Sequence, residues 1–489
     1  MKGFQPVGHV IGRLTAALGV AMLLPALLDL VDESPYWTGS LIAALMTMTA
    51  GTALALLTDG DRSAGLSRRQ AIGLTVLVWL VLPIFGALPL LLAAPPELFQ
   101  DGRITYTDTF FEAMSGLTTT GATVLEGLDT APRGLLLWRA MLQWFGGVGI
   151  VVVAMVFLPA LKIGGMQFFR TESFDLVGDI LPRAAEMAGN LGMIYLGLTL
   201  ACILGYSAAG MEPFDAICHA MTTVSTGGMG NYDASFGAFG PAVQYVAVIF
   251  MALAAMPFLR LMQLSRGQAG PMWRDAQIRA FLAIIGTVAL ILTIWHVAQD
   301  GRAIEPSVRA ALFNVTAILT GTGYASEDFN AWGGFPVALF FILALIGGCA
   351  GSTSCSAKVF RYQILLAALR IQLRRIHAPH GVYALRYQGR VVEPDVLSSV
   401  MGYFLVFAAA LMLWAVLLSL TGLDTTTSIS GAVASLANVG PGLGEMIGPD
   451  GNYQDVPPSA KWILSAGMLL GRLEFMSVLV IFTRVFWVR

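Results

Sequence analysis

The chain has 489 residues, of which 56% are hydrophobic and only 12% charged, with a formal net charge of −2 and a mean hydropathy of +0.73. A soluble protein carries roughly 25% charged residues. So few charges cannot cover a water-facing surface, which excludes a soluble globular domain and points to a surface that meets lipid. The near-neutral balance gives no basis for a nucleic-acid partner.

The first apolar run, residues 10–30, is long enough to span a bilayer, and no small-residue cleavage site follows it, so it reads as a retained transmembrane helix. A spanning helix needs about 20 mainly apolar residues. Further spans are expected at 36–58, 71–94, 134–158, 186–210, 239–264, 279–298, 333–372 (interrupted), 395–421 and 458–484, ten in all with 8–31. Four shorter, half-polar segments lie between the later pairs, at 105–119, 212–225, 306–320 and 424–438. Each opens on helix-start chemistry. Thr109 and Glu112 have capping-box spacing, Glu212-Pro213 and Glu305-Pro306 set proline in a first turn, and Asp424 precedes Thr425. Each ends near glycine, as a re-entrant pore helix would.

Ten crossings leave both termini on one side. If that side is the cytoplasm, 21 of the 28 basic residues lie inside, which follows the positive-inside rule, and 19 of the 30 acids lie outside. An acidic outer mouth concentrates cations before any specific contact.

The ends of the four short segments align. They read Thr118-Thr119-Thr120-Gly121, Val224-Ser225-Thr226-Gly227, Thr320-Gly321-Thr322-Gly323 and Ala437-Asn438-Val439-Gly440. The central glycines are taken as Gly121, Gly227, Gly323 and Gly440, each between a span before and a span after. The expected fold class is an all-α polytopic membrane protein. Four helix–pore-helix–filter-loop–helix repeats would surround one pseudo-fourfold pore, after two extra helices. The divisions are 1–70 (leading helices), 71–185, 186–278, 279–394 and 395–489 (repeats one to four). A dehydrated potassium ion needs oxygens in place of its water, and backbone carbonyls of short extended loops supply them. Glycine relieves the strain of such a loop. Irregular backbone at membrane depth is tolerated only where it is buried or lines water.

The eighth span is broken by the small residues 347–357, directly before Lys358. Such breaks tend to line an ion path. Gly347, Gly348, Gly351, Ser352 and Thr353 with Lys358 form the candidate gate. Arg472 and Glu474 fall mid-way along the last expected span, where ionisable groups are functional candidates. Arg472 is expected to face the cavity below the filter, paired with Glu474. Its charge would either lower cation residence there or hold the small-residue loop; a purely structural Arg–Glu pair is the alternative. Cys202, Cys218, Cys349 and Cys355 read as small buried hydrophobes, and His219 as a packing residue.

These features resemble the Trk/Ktr/HKT superfamily of potassium transporters, most closely the TrkH-type membrane subunit. The resemblance spans essentially the whole chain and is carried by the four filter loops, by Trp138-Arg139 with residues 143–150, by the 347–358 loop and by residues 471–474. It implies potassium ligands among Thr119, Thr120, Gly121, Ser225, Thr226, Gly227, Gly321, Thr322, Gly323, Asn438, Val439 and Gly440, a gating loop at 347–357 and a cavity arginine at Arg472. Cys355-Ser356-Ala357 replaces the two glycines and apolar residue usual before the lysine, which stiffens the loop. The resemblance also implies a homodimer in the bacterial inner membrane and a cytoplasmic regulatory subunit of the TrkA type. NAD(H) or ATP/ADP would act through that partner, since this chain has no phosphate-binding glycine fingerprint. The basic stretch Arg370 to Arg390 suits a docking surface and equally a positive-inside signal.

The reading that follows is potassium uptake through a gated pore. The alternative is proton- or sodium-coupled symport, which needs a titratable group in the path, and no carboxylate is evident there at membrane depth. An enzyme is disfavoured, since the spans carry no nucleophile–base pair or ligand cluster.

Overall fold

The computed structural model describes residues 4–59, 67–153, 165–169 and 180–487, so the end of the expected span 134–158 and the residues between these ranges, with Arg62, Lys162 and Arg170, lie outside it. Two leading helices, Gln5–Ala21 continued by Leu23–Val31 and then Trp37–Leu57, pack closely through small residues. A Cβ on Gly12 would lie 2.4 Å from the Ala55 backbone nitrogen, and one on Gly51 would lie 2.3 Å from that of Ala16. Small residues permit this approach between helices in lipid. Asp29 then ties the pair to the first repeat, accepting from the Gly134 backbone N–H at 2.8 Å.

Each repeat has an outer helix, a short pore helix and an inner helix. The outer helices are Arg68–Gly86, Ile180–Ala208, Ala276–Asp300 and Pro394–Ser419. The pore helices are Tyr106–Leu117, Pro213–Val224, Ile304–Thr320 and Thr425–Ala437, close to the four segments read from sequence. The inner helices are Arg133–Val152, Pro241–Ala254, Gly334–Ile346 and Pro458–Arg472.

The ten expected spans need correction. Among the described residues, seven helices are long and apolar enough to cross a membrane. The other three expected spans are broken. Residues 239–264 divide into Pro241–Ala254 and Phe258–Ser265, bent by 104°, because Pro257 lacks the N–H that would continue the ladder. The third-repeat span resumes at Val359–His377 after the expected break. The last stops at Arg472, and Glu474 takes a left-handed backbone (φ 58°). Three of the four inner helices are therefore broken. A two-residue hairpin, Arg386–Tyr387 with Arg390–Val391, is an addition to the helical fold.

Caps also differ from expectation in one place. Thr105, not Thr109, caps the first pore helix, its hydroxyl accepting from the Asp108 N–H at 3.2 Å. Asp424 caps the fourth as expected, and the hydrogen bonds it accepts from Thr427 hold its carboxyl below the usual range.

Candidate ion filter and gate

The four pore helices end in the same backbone turn. Thr119 (φ 50°), Thr226 (51°), Gly321 (75°) and Asn438 (51°) are all left-handed. Two residues later so are Gly121 (85°), Gly228 (79°), Gly323 (79°) and Gly440 (95°). Non-glycine residues adopt this conformation at a cost of roughly 1–3 kcal/mol and persist in it only where surroundings impose it.

The equivalent glycine of the second loop is thus Gly228, and the reading of Gly227 as that glycine is corrected. Gly227 takes the place of Thr120, Thr322 and Val439. Adjacent glycines hid the register, because either satisfies the same spacing.

The loops interlock in chain order. An added Cβ on Gly121 would lie 2.2 Å from the Gly227 carbonyl oxygen, on Gly228 1.7 Å from that of Thr322, on Gly323 2.0 Å from that of Val439, and on Gly440 2.6 Å from that of Thr120. Each glycine abuts the next loop, and the fourth closes on the first. The same four glycines line one vestibule together with Glu126, Asp233 and Asp450. Burial, with the nearby Asp328 charge adding, pushes the Asp450 carboxyl up.

Hydroxyls pin the ring from behind. Thr118 pairs with Thr120 and Thr320 with Thr322, each at 2.8 Å. The Asn438 side-chain amide donates to the Thr120 hydroxyl at 2.8 Å, joining the fourth loop to the first. Tyr324 meets the hydroxyls of Thr222 at 2.5 Å and Thr223 at 3.2 Å, joining the third repeat to the second. Gln143 donates to the Gly227 carbonyl at 2.7 Å and accepts from the Met229 N–H at 3.1 Å. Gly146 lets its helix approach so closely that a Cβ there would lie 1.9 Å from the Leu117 carbonyl.

One element of this support escaped the sequence reading. Glu112 and Arg139, only 1% and 2% exposed, pair at 2.8 Å behind the first two loops. Glu112 also accepts from the Thr123 hydroxyl (3.0 Å) and the Val124 N–H (2.9 Å). Arg139 donates to the Gly230 carbonyl at 2.9 Å. A carboxylate is therefore buried within the first repeat, contrary to expectation, and it is neutralised in place.

Below the ring, residues 347–358 form a wholly buried unwound loop. It docks on the broken second inner helix. Cys349 N–H donates to the Ala255 carbonyl (3.0 Å), the Thr353 hydroxyl to that of Ala254 (3.0 Å), and Phe258 N–H to that of Gly351 (2.8 Å). Gln277 accepts from the Ala350 N–H at 2.9 Å, and Ser352 bonds back to Cys349 at 2.7 Å. Within the loop, Gly348 N–H donates to the Ser354 hydroxyl at 2.9 Å, and Gly347 is left-handed (φ 79°). The loop approaches the filter, since a Cβ on Gly321 would lie 3.8 Å from Cys355 N.

Arg472 is not paired with Glu474. Its guanidinium donates to the Thr353 carbonyl (3.2 Å), the Gly146 carbonyl (3.3 Å) and the Cys355 sulfur. It thus fastens the loop to the first inner helix. Glu474 instead takes Lys358 at 2.9 Å and the fully buried Arg361. The helix ends between Arg472 and Glu474, which sends the two side chains to different partners. Cys355 is accordingly more than a packing residue. Cys202, Cys218 and Cys349 are buried and free, and His219 sits in an aromatic cluster with Tyr232, Phe236 and Phe239. Among the described residues no cluster of three or more metal-ligating side chains occurs.

The geometry is a ring of backbone oxygens above a buried unwound loop. Comparison with known proteins agrees with this. Residues 40–486 match the TrkH family, described as cation transport proteins. The chain is 39% identical to the Trk system potassium uptake protein TrkI of Halomonas elongata, over all of this chain and 98% of that protein. It is 36% identical to the Trk system potassium uptake protein TrkH of Escherichia coli K12, over 99% of both chains. The crystal structure of the potassium transporter TrkH from Vibrio parahaemolyticus superposes with a TM-score of 0.90 at 34% identity, covering 99% of this chain and 100% of that one. The chain therefore belongs to the TrkH family of cation transport proteins, polytopic all-α membrane transporters rather than enzymes.

Proposed function

We propose that the chain takes up potassium across the bacterial inner membrane through a gated, selective pore driven by the membrane potential. The observation that carries this reading is the closed ring of four loops, glycine against carbonyl in every pair. The relatives' names, potassium uptake proteins of Trk systems, support the same ion. Backbone oxygens of residues 119–121, 225–228, 321–323 and 438–440 would replace its hydration shell. One charge moved inward at 100 mV gains about 2.3 kcal/mol, which drives accumulation without ATP. A channel-like path is favoured over symport, because Glu112 and Glu474 are both held in ion pairs.

Gating is assigned to the 347–358 loop, with Arg472 as its latch. The working unit is a homodimer with a cytoplasmic TrkA-type regulatory subunit that binds NAD(H) or ATP/ADP. Exposed Arg370, Arg374 and Arg375 on the third-repeat helix offer it a basic face.

Expression is expected to restore growth of potassium-uptake-deficient cells at low potassium. Purified protein with its regulatory subunit is expected to pass rubidium in liposomes. Absence of flux under every nucleotide condition would sink the proposal. Gly121→Ser sets a side chain against the Gly227 carbonyl, so potassium-over-sodium selectivity is expected to fall; competition of sodium with rubidium flux reads it. Arg472→Ala frees the loop and is expected to raise flux severalfold in folded protein, measured after normalising for monodisperse protein. Flux equal to that of the native protein would remove the latch.

A further inference from the structure

Behind the first filter loop the helices part. A crevice of about 660 Å³ opens between the leading helix Gln5–Ala21, both long helices of the first repeat and the outer helix of the second. That volume is in the range of small-molecule sites, roughly 300–1,000 Å³. Its walls are apolar, including Leu18, Trp79, Leu117, Phe145 and Gly149. Three of the polar side chains in the lining are already engaged. The Thr75 hydroxyl donates to the Ala71 carbonyl at 2.9 Å, that of Tyr195 to the Trp144 carbonyl at 3.1 Å, and the Trp144 indole to Thr199 at 3.1 Å. With a wall so largely apolar, the crevice suits a hydrocarbon better than a polar ligand.

The mouth identifies the occupant. Leu14, Met193 and Leu196 at its rim are 41%, 70% and 43% exposed. They stand on helices apolar and long enough to cross the membrane. The crevice is thus continuous with the lipid-facing surface, and acyl chains are the medium at its entrance. Its inner end touches the gate. Trp79 lies under the Arg472 guanidinium, 5.7 Å from ring centre to charge. Gly146, also in the lining, gives Arg472 its carbonyl.

We propose that this crevice binds one acyl chain of a membrane phospholipid, and that the chain, packed against Trp79 and Gly146, steadies the Arg472 latch. The link to the latch rests on the pore reading above; the binding site does not.

The test reconstitutes the full chain in liposomes doped with a phospholipid carrying a photoactivatable diazirine in its acyl chain, and maps adducts by peptide mass spectrometry. Adducts are expected at Trp79 and Phe145. Gly192→Phe projects a ring into the crevice, where an added Cβ meets nothing within 4 Å, and is expected to remove most of those adducts. Gly192→Leu gives an intermediate loss. Labelling of Leu405 and Met412, exposed on the fourth repeat, stays unchanged. Rubidium flux is expected to change severalfold in Gly192→Phe and not in Gly286→Phe, an exposed glycine of the third repeat that also has open space. Absence of adducts at Trp79 and Phe145 in the native chain overturns the site. Loss of adducts with unchanged flux overturns the link to the latch. Crevice labelling in a chain that carries no rubidium overturns the pore reading while supporting the site.

Discussion

Gly228→Ala is expected to reduce rubidium flux at least about tenfold, and Gly227→Ala to reduce it less. The two positions are neighbours, and their sequence context does not separate them. Their geometry does. At Gly228 the backbone is left-handed (φ 79°) and an added Cβ would lie 1.7 Å from the Thr322 carbonyl oxygen. The conformation alone costs alanine roughly 1–2 kcal/mol, and the clash is with backbone that is itself part of the ring. A shift of 1.4 kcal/mol is already a factor of about ten in an equilibrium. At Gly227 the backbone is not left-handed and the three atoms nearest an added Cβ all belong to the Gln143 side-chain amide, from 2.4 Å, so alanine strains one hydrogen-bonded pin rather than the backbone of the ring. Flux in liposomes, normalised to folded protein, reads the difference. Equal losses at both positions would overturn the register assigned to the second loop.

Arg139→Ala is expected to destabilise the protein strongly and to lower selectivity in whatever survives. The substitution leaves Glu112 buried behind the filter with its charge uncompensated. Breaking a buried pair in this way costs about 3–5 kcal/mol. It also removes the donor to the Gly230 carbonyl, so the first two loops lose a shared anchor. The double variant Glu112→Gln with Arg139→Met removes both charges together and is expected to recover more than half of the lost stability. Thermal unfolding followed by size-exclusion chromatography measures this. A single variant as stable as the native chain would show that the pair does not brace the filter.

Much of the architecture was legible because it is written locally. Pore helices announce themselves through Pro213, Pro306 and Asp424 at their starts and through glycine at their ends, at intervals of about one hundred residues. The unwound loop was legible because eleven small residues in a row cannot sustain an apolar helix. What escaped depended on distance or on backbone angle. Thr109 and Glu112 have capping-box spacing, but the carboxylate is claimed by Arg139, 27 positions away. Arg472 and Glu474 stand two apart and looked like a pair, yet a helix end between them turns them to different partners. Arg361 is fully buried against Glu474, which its place among the basic residues counted on the cytoplasmic side does not reveal. Pro257 was a readable signal: an apolar run alone does not reveal a bend, but proline within it does.

The contact between Gly440 and the Thr120 carbonyl has a bearing on how the protein is made. The wall around the ion path is completed by residues more than three hundred positions after those that begin it. While the ribosome is still translating, a chain inserted through its third repeat lacks a quarter of that wall and the Arg472 side chain that ties the 347–358 loop to the first inner helix. If the ring selects and the loop closes, as proposed, both properties arrive with the same stretch of polypeptide.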